Sequence, residues 1–178
     1  MSSCFVDGKP AALDDLVHPA LVNYGAYTSF AVQGGGVRGL DRHMARLWDA
    51  ALELFGETIE EDQVRDWMRQ ALIDHADAWM RISLYAPEIG VRTPDWIGRP
   101  RMMIGVFAPV APLSERPLRL QPQTYGREAP HLKHVATFGL IRARRTAMTA
   151  GFDDALFVGA DGRISEASVS NIGFLSGD

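Results

Sequence analysis

Between Lys133 and Asn171 the order of local signals leaves little choice of architecture. A helix-like run from Phe138 to Ala150 follows the lysine and is broken by Gly151. An apolar strand from Ala155 to Val158 then meets the turn Ala160-Asp161-Gly162-Arg163. Asp-Gly between apolar runs is a strong hairpin signal, because glycine takes positive φ without steric cost. The returning strand carries Glu166 and ends in Ser-Asn-Ile-Gly-Phe. Lys133 and Glu166 are too far apart in the chain to share one element. A strand–helix–hairpin return can bring them to a common ligand. Each alone reads as a surface residue; in this string of neighbours the pair reads as functional.

The layout resembles the class IV (fold-type IV) pyridoxal-phosphate enzymes, a group that includes the branched-chain and D-amino-acid aminotransferases and aminodeoxychorismate lyase. The resemblance rests on the lysine, the helix ending near Gly151, the apolar strand, the Asp161-Gly162 turn, Ser165-Glu166 and Asn171-Ile172-Gly173-Phe174. It implies an α+β, two-domain fold and pyridoxal 5'-phosphate as cofactor. An aldehyde cofactor needs an amine nucleophile, and a lysine in a partly desolvated pocket is partly neutral. Lys133 takes that role by resemblance. A pyridine ring is an electron sink only while its nitrogen is protonated, and a carboxylate beside it favours that form. By resemblance that carboxylate is Glu166.

His43-Met44-Ala45-Arg46-Leu47 resembles the family's H-x-x-R-L motif, in which the arginine binds the cofactor phosphate. A guanidinium suits this because its planar fork matches phosphate oxygens and stays charged. Outside this context Arg46 would read as an exposed helix arginine. His43 reads as structural. Tyr27 stands where the family has an aromatic pocket residue, although Tyr27-Thr28 replaces the common aromatic-Glu pair. Arg81 lies where branched-chain relatives have an arginine near the substrate, and a surface role fits it equally well. Phe138 stands where those relatives have a tyrosine that touches the cofactor's phenolic oxygen, a bond phenylalanine cannot make. Ser168 and Val169 are expected against the ring face, and Asn171 is expected to stabilise its turn. His131 and His134 flank the lysine without a third ligand at metal-like spacing, so no metal site is expected.

Composition narrows the class. The 178 residues are 47% hydrophobic and 22% charged, enough to bury a core. A net charge of −4 opposes non-specific nucleic-acid binding. Arg142, Arg144 and Arg145 read as a solvated helix face. Cys4 is the single cysteine, which fits a reducing cytoplasm rather than a disulfide framework. No signal-peptide pattern and no membrane-length apolar run are visible, so a cytoplasmic protein is expected.

Read in order, residues 4–12 form a hairpin turning at Asp7-Gly8, and residues 18–25 form a connecting loop. Residues 27–33 make a strand, turned by Gly34-Gly35-Gly36. Leu40, Met44, Leu47, Ala51 and Leu54 form one stripe of an amphipathic helix ending before Gly56. Thr58 and Glu61 predict a capping box for a second helix. Residues 79–86 alternate Met80, Ile82 and Leu84 against Arg81, Ser83 and Tyr85, a half-buried strand. Residues 87–100 are loop, and 102–107 are strand. Pro109, Pro112 and Pro117 mark a linker.

The expected domains are therefore 1–108 (α+β), a linker over 109–117, and 118–178 as the first part of a larger, β-rich cofactor domain. So little core lies beyond Leu118 that the chain is expected to be the N-terminal portion of a longer protein. The resemblance implies transfer of an amino group between an amino acid or amine and a 2-keto acid, in a homodimer. Two alternatives remain: elimination of pyruvate in the manner of aminodeoxychorismate lyase, whose Lys-His pair is matched by Lys133-His134, and a non-catalytic dimerisation or binding module.

Overall fold

Alternating side chains along residues 26–33 set the frame of the first sheet. The protein is described from a computed structural model, covering residues 2–111 and 116–176. Strand β3 (Ala26–Gln33) turns Ala26, Thr28, Phe30 and Val32 inward. It pairs antiparallel with β5 (Ala78–Tyr85), which pairs antiparallel with β6 (Arg101–Phe107). Strands β1 (Ser3–Val6), β2 (Lys9–Pro10) and β4 (Gly36–Val37) complete a six-stranded sheet, ordered β2-β1-β6-β5-β3-β4. Both edge strands arise from the expected hairpins. At the first, Asp7 and Gly8 both adopt positive φ, 49° and 78°.

Helices α2 (Leu40–Phe55) and α3 (Glu61–Ala71) supply the second layer. Met44, Leu47, Ala51 and Phe55 from α2 join Val64 and Met68 from α3 in one core with Met80, Ile82, Leu84, Met102 and Ile104. Each large side chain buried in this way contributes about 1.5–3 kcal/mol. The expected capping box is absent: Glu60 is the N-cap without a side-chain bond, and Glu61 accepts from Arg65 Nε at 2.7 Å. The acid is drawn to the guanidinium one turn along. Ser83 and Tyr85 are buried rather than solvent-facing, so β5 is covered on both faces at its C-terminal end.

Residues 18–25 are not simply a loop, for helix α1 (Leu13–Leu21) covers part of them. Pro19 sits inside this helix and cannot donate to the Asp15 carbonyl. The Tyr85 hydroxyl donates to that carbonyl instead, at 2.9 Å. At the other end, the Asp15 carboxylate accepts the Ala12 N–H at 3.0 Å.

The chain divides into two compact units, Met1–Ala111 with His131–Val135, and Pro112–Pro130 with Ala136–Asp178. In the second, β7 (Leu120–Thr124) runs parallel to β8 (Asp154–Val158), and α4 (Phe138–Thr149) lies in the connection that parallel pairing demands. Strand β9 (Ile164–Ala167) returns antiparallel through Gly162, whose φ is 80°. Leu140, Ala143, Ala147, Ala155 and Phe157 form its small core. Of the expected linker, residues 112–115 lie outside the described residues, as do Gly177 and Asp178 at the chain end. Among the described residues no helix is long and apolar enough to cross a membrane.

Candidate active site

Lys133 is positioned by backbone pairing with the start of β3. The Tyr27 N–H donates to the Lys133 carbonyl at 2.8 Å, and the Val135 N–H donates to the Gly25 carbonyl at 2.9 Å. These bonds bracket an isolated antiparallel bridge between Ala26 and His134. A residue that reads as the entry to a helix is therefore stitched to the first sheet. Its Nζ lies 5.0 Å from the centre of the Tyr27 ring. His131, next to it, faces the Glu53 carboxylate at 2.9 Å.

Two turns of sequence logic bring Arg46 to the same strand. Thr28 follows Tyr27 and, by alternation, points inward, where it is fully buried. His43 and Arg46 lie three positions apart on α2 and so share one helix face. Arg46 Nη2 donates to Thr28 Oγ1 at 2.8 Å, and His43 Nδ1 lies 2.7 Å from the same oxygen. Burial, then the charges of Arg46 and Lys133, hold the His43 imidazole below its ordinary value. The Phe30 ring packs on it with centroids 4.9 Å apart.

Arg81 reaches Tyr27 from β5, its guanidinium carbon 3.8 Å from the ring centre. Ser29 is its direct cross-strand partner, and Tyr27 pairs with Ser83. Arg81 Nε donates weakly to Ser83 Oγ at 3.4 Å. Burial lowers the guanidinium's affinity for its proton, with Tyr27 opposing. Arg81 also lines two clefts of this unit, one with Cys4, Gly105 and Phe107, the other with Tyr24, Tyr85 and Val135.

The remaining expected residues belong to the second unit. Glu166 is half-buried on β9, and Arg127 Nε lies 2.8 Å from its Oε1, an ion pair angled away from a straight hydrogen bond. Ser168 is buried and donates its hydroxyl to Asp154, which is also buried. Asp154 accepts the Ala155 N–H as well, at 2.8 Å. Val169 and Phe138 are exposed, the latter by 76%. Among the described residues no group of three His, Cys, Asp or Glu side chains gathers as a metal centre requires.

The first unit thus assembles around Tyr27 and Thr28 an amine, two guanidiniums and an imidazole whose protonation is disfavoured. No described carboxylate is ion-paired with Arg46 or Arg81, whose bonds go to hydroxyls. This donor set fits a phosphate-bearing aldehyde, which needs cations for its anion and an amine for its carbonyl. Thr28 and Arg127 escaped sequence reasoning. The inward phase of β3 was a usable signal for Thr28. Arg127 lies in an irregular stretch with no periodicity to read.

Solved structures agree with this fold. A fold IV-transaminase from Curtobacterium pusillum is 18% identical with a TM-score of 0.69, over 94% of this chain and 67% of its own. A branched-chain aminotransferase from Thermoproteus uzoniensis, solved with norvaline, is 17% identical with a TM-score of 0.74, over 93% and 62%. A PLP-bound hypothetical aminotransferase from Mycobacterium tuberculosis is 15% identical with a TM-score of 0.66, over 94% and 66%. This chain therefore spans between 62% and 67% of the length of these three proteins. No curated protein matches it. The amino-transferase class IV profile matches residues 25–178, a stretch that holds Lys133, Arg46 and Glu166 together, and the chain belongs to that family.

Proposed function

We propose that the protein uses pyridoxal 5'-phosphate to move an amino group between an amino acid or amine and a 2-keto acid. The observation that carries this reading is the joint placement of Lys133, Arg46 and Arg81 around Tyr27 and Thr28 in a chain of the class IV family. When bound, the cofactor supplies the electron sink that makes the substrate's Cα–H acidic. Lys133 Nζ would hold the cofactor covalently and, as a free amine during turnover, would take the proton from the substrate's Cα. Arg46 grips the phosphate through the guanidinium donors not spent on Thr28. Glu166, its charge shared with Arg127, serves the ring nitrogen.

Tyr27 and Arg81 orient the substrate, with Arg81 placed to take a carboxylate. Phe138 and Val169 contribute exposed apolar surface to the pocket, and Ser168 holds its turn through Asp154. A homodimer in the cytoplasm is the assembly this reading carries. The Lys133-His134 pair leaves pyruvate elimination as a second reading. Amino transfer to a keto acid, measured beside pyruvate release from aminodeoxychorismate, separates the two.

The test of the covalent role is direct, because the chain has two lysines, Lys9 and Lys133. Borohydride reduction with the cofactor present, followed by peptide mapping, is expected to label the Lys133 peptide. Label on Lys9 instead, or on neither, refutes the assignment.

A further inference from the structure

Thr28 Oγ1 stands between a donor and an imidazole nitrogen, and the direction of its own proton sets the role of each. Thr28 is fully buried, and among the described residues the polar side chains that reach its hydroxyl are Arg46 Nη2 at 2.8 Å and His43 Nδ1 at 2.7 Å. A guanidinium only donates, so Arg46 uses an oxygen lone pair. Thr28 keeps one hydroxyl hydrogen to give, and His43 Nδ1 satisfies it when that nitrogen accepts. An acceptor Nδ1 places the imidazole proton on Nε2. The Phe30 ring against His43 restrains the imidazole that receives this bond.

We propose that Thr28 and His43 are positioning residues for Arg46: a directed chain, Arg46 N–H to Thr28 hydroxyl to neutral His43 Nδ1, fixes one edge of the guanidinium and leaves the other to a phosphate. This rests on the proposed phosphate-binding role of Arg46. The reasons are geometric and electrostatic. Arg46 is exposed overall, so without an anchor its long side chain would sample many rotamers, and ordering it would cost affinity. Thr28 is an uncharged anchor, so it orients the guanidinium without cancelling the charge an anion needs. His43 must stay neutral to accept, and its burial beside the cations Arg46 and Lys133 opposes protonation. A protonated Nδ1 could no longer accept the Thr28 hydrogen and would add a further positive charge beside Arg46 and Lys133.

Two measurements on the 178-residue protein test this. Nitrogen NMR of 15N-histidine-labelled protein at neutral pH is expected to show His43 as the Nε2–H tautomer. An imidazolium or the Nδ1–H tautomer overturns the proposal. Calorimetry then compares pyridoxal 5'-phosphate with pyridoxal, which lacks the phosphate. Thr28→Val is expected to weaken the phosphate-bearing ligand about tenfold, the worth of one lost hydrogen bond, and to leave pyridoxal unchanged. Thr28→Ser, which keeps the hydroxyl, is expected to bind both as the native protein does, and it decides the matter if Thr28→Val does not fold. Equal weakening of both ligands by Thr28→Val, or a Thr28→Ser variant that behaves like valine, overturns the positioning role. Arg46→Ala separates the two layers. If it weakens the phosphate-bearing ligand while Thr28→Val does not, positioning fails and the phosphate reading stands. If Arg46→Ala binds both ligands normally, the phosphate reading fails and takes the positioning role with it.

Discussion

Tyr27 meets Lys133 twice: its N–H donates to the lysine carbonyl at 2.8 Å, and its ring centre lies 5.0 Å from the lysine Nζ. The same strand residue thus sets both the backbone position and the aromatic surroundings of the amine. Thr28, next along β3, anchors Arg46. One strand therefore organises both proposed cofactor contacts of the first unit, and its integrity is the first thing to perturb.

Gly25 immediately precedes that strand with φ of 151°, and a Cβ there would stand 2.1 Å from the Leu84 carbonyl oxygen. Its own carbonyl accepts the Val135 N–H. Gly25→Ala is expected to destabilise the protein by about 1–3 kcal/mol in urea unfolding and to slow borohydride labelling of Lys133. Native stability in this variant would contradict the close approach.

Arg46→Ala removes a charge-assisted contact to the proposed phosphate, worth about 1.5–3 kcal/mol. Cofactor affinity is expected to fall by about ten- to a hundredfold, whereas thermal unfolding shifts little because the position is exposed. A variant that melts early yet titrates normally with cofactor would make this arginine structural.

Glu166→Gln keeps the size of the side chain and removes its charge, breaking the ion pair with Arg127. Turnover is expected to drop about tenfold or more while the protein still retains cofactor, since a neutral amide cannot support a protonated ring nitrogen. Absorbance of retained cofactor, read beside the amino-transfer rate, checks both halves. Undiminished turnover would reduce Glu166 to a hairpin residue.

Tyr85→Phe leaves the Asp15 carbonyl, already without its helical partner because of Pro19, with no hydroxyl to accept from. A loss of about 1 kcal/mol is expected in urea unfolding. Adding Pro19→Ala supplies an N–H for that carbonyl and is expected to recover most of the loss. Additive losses in the double variant would refute the pairing.

Acid should expose the Asp153–Arg116 contact in the second unit. The Arg116 guanidinium, then the Arg119 N–H, lower the Asp153 carboxyl to about 2 from its ordinary 3.8. A depressed carboxylate stabilises the fold above its unfolded value, and that contribution disappears as pH falls through the folded one. Melting temperature is expected to drop between about pH 4 and pH 2 more steeply in the native protein than in Asp153→Asn. Identical slopes would show that the contact is not formed in solution.

Much of this fold is legible along the chain because it obeys local periods. Inward alternation on β3 and β5, the apolar stripe of α2 and the Asp161-Gly162 turn each follow from a few neighbouring residues. Helix α1 is hidden because Pro19 is a helix breaker unless something else satisfies the Asp15 carbonyl, and the Tyr85 hydroxyl that does so comes from β5. The capping box at Thr58 fails for the opposite reason, a local rule losing to the nearby guanidinium of Arg65.

The sequence by itself determined the residue types of the proposed site: an arginine, a lysine and a glutamate, all within the stretch that the class IV profile matches. Only the tertiary structure decided their company. Lys133 stands beside Tyr27 because backbone pairing joins residues 26 and 134, a long-range contact that no period along the chain encodes. Thr28 anchors Arg46, and Arg127 pairs with Glu166, because hydrogen-bond partners are chosen by which buried or half-buried polar groups packing brings within reach. Local patterns specify which face a side chain takes; the packing of distant segments specifies what it meets there.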